Sequence, residues 1–106
     1  MEDQNIIELF FQRNEKAIEV TNGKYGAYCL VVAKNILADL RDSEECVSDT
    51  WLKAWESIPP EMPKKLKAWL GKVVRNTALT NAETSIIRIE SVWKNHYLND
   101  DKQLLL

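Results

Sequence analysis

The sequence predicts an all-α protein: a small helical bundle of about four helices, followed by an uncertain C-terminal tail. Three observations point there. The 106 residues include only three Gly and three Pro, too few for the turns of an all-β fold. Apolar side chains recur at helical spacing along most of the chain. Hydrophobic residues make up 45% and charged residues 28%, the balance of a globular chain with one modest core. The expected organisation is one helical domain over 1–80 and a divergent extension over 81–106, helical or partly disordered.

The first helix is expected from Asp3, as its N-cap, to Gln12. Ile6, Ile7, Phe10 and Phe11 fall on one core-facing stripe. Asn14 reads as a second N-cap, opening a long helix from Glu15 to Leu37 with Ile18, Tyr25, Cys29, Val32 and Ile36 along one side. Gly23 and Gly26 each weaken that helix by up to about 1 kcal/mol relative to Ala and allow a bend. Asp42 or Ser43 is expected to open the third helix, with Glu44 and Glu45 suiting the positive end of its dipole. Its buried face is marked by Val47, Trp51, Ala54, Trp55 and Ile58. The run Ile58-Pro59-Pro60-Glu61-Met62-Pro63 then stops any helix. A fourth helix is expected to start near Pro63 and to bury Leu66, Trp69, Leu70, Val73, Val74 and Thr77. Beyond Asn81 the pattern blurs, and Ile86, Ile87, Ile89 and Val92 fit a helix or a short strand. The exposed apolar run Ile86-Ile87-Arg88-Ile89 suggests a homodimer through this segment.

Charge is unevenly spread. Net charge is −2, yet Asp39 to Glu56 holds six acids against two bases, and Met62 to Ala82 holds five bases and no acid. One reading is two solvated faces attracting each other across a bundle. The other is an acidic docking face for a basic partner beside a basic face for phosphates. Trp69 lies on the apolar stripe, which favours core packing. Beside Lys67 and Lys72 it also suits a stacking platform for an unpaired base.

Several function classes are disfavoured. No apolar run approaches the roughly 20 residues of a membrane span. The start, Met1-Glu2-Asp3-Gln4-Asn5, is acidic and polar where a secretory leader is basic and then apolar, so a cytoplasmic protein is expected. Cys29, Cys46 and His96 offer no metal-ligand spacing, and the two cysteines read as free buried thiols. No nucleophile–base motif or phosphate loop is recognisable, so neither an enzyme nor a cofactor is expected.

Two segments carry a family likeness: Ser43-Glu44-Glu45-Cys46-Val47-Ser48-Asp49-Thr50-Trp51-Leu52-Lys53-Ala54-Trp55, and Leu66-Lys67-Ala68-Trp69-Leu70-Gly71-Lys72-Val73-Val74-Arg75-Asn76-Thr77-Ala78-Leu79. Together they resemble region two of bacterial RNA polymerase sigma factors, of the small extracytoplasmic-function type. The likeness covers about Met1 to Leu79. It implies an all-helical domain whose acidic helix docks on the clamp coiled-coil of the largest subunit of core RNA polymerase. It also implies contact with the promoter −10 element, chiefly its non-template single strand, and it leaves room for an anti-sigma factor as a further partner. By position, Glu45, Ser48 and Asp49 fall on the docking face, with Ser48 replacing a longer amide side chain. The loop Pro59 to Pro63 with Lys64 and Lys65 falls where the family grips flipped-out bases, and Lys67, Trp69, Lys72, Arg75 and Asn76 fall on the strand-holding helix.

The likeness breaks after Leu79. The family would place an Asp and then an Arg where this chain has Thr80 and Glu83, and Asn81 to Leu106 carries four acids against three bases. Two origins stay open, a divergent tail and a shifted reading frame. Two functions stay open with them: a promoter-recognising initiation domain, and a polymerase-binding or protein-interaction module without promoter recognition.

Overall fold

The structure, a computed structural model, describes residues 1–82. The expectations for Ile86-Ile87-Arg88-Ile89, His96 and the form of the extension lie outside the described residues. Among the described residues there are four helices and no strand: α1 (Asp3–Phe11), α2 (Lys16–Leu37), α3 (Leu40–Ser57) and α4 (residues 66–82). The all-α reading holds.

In α1, Ile6, Ile7 and Phe10 are buried, but Phe11 is 39% exposed, so the core-facing stripe is narrower than expected. The N-cap is Glu2, not Asp3. Asp3 lies in the first turn, and its carboxylate accepts from Lys24 Nζ at 2.8 Å and from Tyr25 Oη at 2.6 Å, tying α1 to α2. The N-cap of α2 is Glu15, not Asn14; Asn14 stands one residue earlier, and its Oδ1 accepts from the Lys16 N–H at 3.0 Å.

Helix α2 runs uninterrupted through Gly23 and Gly26, so the helix does not break at the two glycines. Its buried side is Ala17, Thr21, Tyr25, Cys29 and Ala33, a strict i, i+4 row. Ile18, Val32 and Ile36 are only half-buried beside it. The row is narrow and mostly small, which lets α3 pack closely against it. Helix α3 answers with Ser43, Cys46, Val47, Thr50, Trp51 and Ala54. Among the described residues, the hydroxyls of the buried Thr21, Ser43 and Thr50 are each satisfied by the backbone carbonyl four residues earlier. Thr21 donates to the Ala17 carbonyl, Ser43 to that of Asp39 and Thr50 to that of Cys46.

Helix α3 starts earlier than expected. Asp39, not Asp42 or Ser43, is the N-cap, and its carboxylate accepts from the Asp42 N–H at 2.9 Å. Helix α4 starts later, because residues 63–65 stay outside the helix. Leu66, Leu70, Val74 and Ala78 form its buried row, while Trp69, Val73 and Thr77 are half-buried. Cys29 and Cys46 are free and buried, as expected.

Candidate functional site

The outer face of α3 is built by helical geometry. At about 100° per residue, burying Ser43, Val47, Thr50 and Ala54 turns Glu45, Ser48, Asp49, Leu52 and Glu56 outward together. All five are exposed. Leu52, 57% exposed, stands among the acids and was missed from the sequence. The signal for it was an apolar residue on the polar arc of the helix. Ser48 also borders a shallow groove between α2 and α3, shared with Asn22, Gly26, Leu30 and Trp51.

The bases do not form one face. Lys64, Lys65 and Lys67 line a recess of about 550 Å³ with Asp3, Tyr25 and Tyr28. Lys67 Nζ lies 4.8 Å from the Tyr28 ring centroid, within cation–π range. The two tyrosines and Asp3 were absent from the sequence-based site, because helices distant in sequence, α1 and α2, supply them. Asp3 is held below the ordinary carboxylate range, first by the hydrogen bond from Lys24 and then by that from Tyr25. Tyr25 is pushed up, mainly by burial and then by its bond to Asp3.

Lys72 and Arg75 sit on the outward arc of α4, three residues apart and exposed. Asn76, one turn on from Lys72 and exposed like it, also borders a groove between α3 and α4 with Asp49, Lys53, Val73 and Thr77. Trp69 is half-buried and packs against the core. Among the described residues no ion pair joins α3 to α4; the ion pair present is Lys24–Asp3.

The segment between α3 and α4 is anchored at its start. Ile58 is fully buried, and the Glu61 N–H bonds the Ser57 carbonyl at 2.9 Å. Arg13, from the α1–α2 corner, donates from Nη1 to the carbonyls of Trp55 at 2.7 Å and Ile58 at 3.2 Å. Its guanidinium carbon lies 3.8 Å from the Trp55 ring centroid. A broad groove of about 1230 Å³ runs beside this segment, where Ile7, Phe11, Met62, Pro63 and Lys64 meet the start of the chain.

Residues 24–84 match the family model for sigma-70 region 2. The chain belongs to this family. Sigma-70 region 2 in general binds core RNA polymerase and recognises the promoter −10 element, and it is a transcription initiation domain rather than an enzyme family. No curated protein matches the chain, and no solved structure does.

The region 2 match starts within α2 and spans the acidic face of α3, the proline-rich segment and all described residues of α4. Helix α1 precedes it, yet contributes Asp3 to the lysine recess. Thr80, within the matched residues, is exposed, and its hydroxyl donates to the Asn76 carbonyl at 2.9 Å. Glu83 lies outside the described residues. No described helix of this region 2 domain is long and apolar enough to cross a membrane.

Proposed function

We propose that this sigma-70 region 2 domain docks on the clamp coiled-coil of the largest polymerase subunit through Glu45, Ser48, Asp49 and Leu52. In the same reading it holds the non-template strand of the −10 element on its bases. The observation that carries it is the separation of the two charged surfaces. Among the described residues the acids of α3 form no ion pair with the bases of α4, which leaves both surfaces suited to a partner of opposite charge. Leu52 supplies the apolar contact that a purely ionic surface lacks. On the other side, Lys64, Lys65 and Lys67 surround a recess with an aromatic wall at Tyr28. Phosphates are drawn to such lysines by counterion release, and an unstacked base needs an aromatic or apolar wall. Lys72 and Arg75 extend the phosphate path along α4, and Asn76 and Trp69 flank it on the side facing α3.

A second reading, a polymerase-binding module without promoter recognition, is favoured by Asp3 inside the lysine recess and by Thr80 in place of the family's acid. Binding of the whole chain to core polymerase and to single-stranded −10 DNA separates the two. The docking reading requires tight polymerase binding that is lost in Glu45→Lys/Asp49→Lys; retention by that variant, or no binding by the wild type, sinks it. Polymerase binding without any affinity for the DNA would establish the second reading.

A further inference from the structure

We propose that Arg13 is a positioning residue for the promoter-facing segment 58–65, clamping the end of α3 from the far corner of the fold. The proposal rests on the reading that this segment and the adjoining lysines handle DNA.

The backbone of Arg13 has φ 55°, the left-handed region that favours glycine. It ends α1 there: its N–H bonds the Phe10 carbonyl, and the Asn14 N–H bonds the Leu9 carbonyl at 2.9 Å. A glycine would serve this turn at less steric strain. What glycine lacks is the guanidinium, which crosses to a segment more than 40 residues away.

There it meets a chemical need. The last carbonyls of a helix have no partner within the helix, and the negative end of the dipole favours a cation. Arg13 donates to Trp55 within the last turn of α3 and to Ile58 at its C-cap. It also lies over the Trp55 ring, which packs against Phe10 of α1 at 6.4 Å between centroids. One side chain thus ties the exit of α1, the exit of α3 and the first residue of the segment leading to Lys64 and Lys65. Two charge-assisted bonds from one nitrogen, Nη1, restrict how that segment leaves the helix, and a preordered segment binds with less ordering entropy lost.

The test uses the full chain with Arg13→Gly, which suits the left-handed backbone, and with Arg13→Lys, which keeps the charge but lacks the planar guanidinium that lies over the Trp55 ring. Three readouts are compared: the thermal midpoint, binding to core polymerase and binding to single-stranded −10 DNA. A fourth is amide hydrogen exchange at Ile58 and Glu61. The expected result for Arg13→Gly is a folded protein, unchanged polymerase binding, DNA affinity down by roughly tenfold as expected from lost preorganisation, and faster exchange at Glu61. Arg13→Lys should recover only part of the loss. Unchanged exchange at Glu61 together with unchanged DNA affinity would overturn the proposal and leave Arg13 a surface cap. Should the wild type bind no DNA, the promoter reading fails on its own, and the exchange rates alone then decide whether Arg13 clamps the segment.

Discussion

Cys29 and Cys46 bring two thiols into the contact between α2 and α3, and burial pushes each up to about 11. A neighbouring charge adds to this, from Cys46 on the first and from Asp49 on the second. The folded state therefore favours the neutral thiol. The stabilisation is complete below the ordinary value of 9.0 and is lost as pH rises through about 11. Tyr25 is shifted upward too and acts in the same direction. Asp3 has the opposite sign: its lowered value contributes stability above the ordinary 3.8, which is lost as pH falls through the folded value. Thermal melts followed by circular dichroism should therefore show a plateau across about pH 5 to 8 and a decline on either side. Cys29→Ala/Cys46→Ala should flatten the alkaline decline; an unchanged alkaline limb would mean that the thiols do not govern it. In the native protein at pH 8, both cysteines should react with a thiol reagent only as fast as the fold opens, because the thiolate is the reactive form.

Between elements, Gly71 of α4 lies against the Tyr28 side chain of α2. A Cβ at this position would stand 3.3 Å from Tyr28 Cζ and closer still to the phenolic oxygen. Gly71→Ala should destabilise by roughly 1–2 kcal/mol net, overpacking outweighing the better helix propensity of Ala. Since the clash falls on the hydroxyl, Tyr28→Phe in the same chain should recover much of that loss in a double-mutant cycle of urea unfolding. No coupling between the two would place the strain elsewhere. The exit of α2 offers the reverse case. Ala38 has φ 57° at the C-cap, a left-handed position that a Cβ disfavours. Ala38→Gly should raise stability by about 0.5–1 kcal/mol, the relief of that strain exceeding the added freedom of the unfolded chain. A lower urea midpoint would contradict this.

Across the whole molecule, the proposed function assigns the two charged surfaces separate tasks, and mutation should then separate them. Single-stranded DNA binding should weaken with salt at about 0.7 log units per log unit of salt for each phosphate contacted. Replacing Lys64, Lys65 and Lys67 by Gln should reduce that slope by about 2, while Glu45→Lys/Asp49→Lys should not reduce it. A slope indifferent to the lysines would remove the recess from the DNA path. The distribution of charge over acidic α3 and basic α4 was legible in the sequence, because adjacent helices keep their own residues. Whether the two sets neutralise each other was not, because that depends on side-chain distances across the bundle.

The all-α class, the proline-rich break, the buried cysteines and the outward turn of Glu45, Ser48 and Asp49 follow from the sequence alone. Each rests on local propensity or on the angle between residues of one helix. Local pattern did not place Thr21, Ser43 and Thr50 in the core, since a hydroxyl reads as polar until its own i−4 carbonyl is seen to satisfy it. Nor did it show that Asp3, Tyr25 and Tyr28 meet Lys64, Lys65 and Lys67, or that Arg13 reaches the end of α3. Those contacts join segments far apart in the chain, and only the packing of α1 and α2 against the rest of the bundle brings them together.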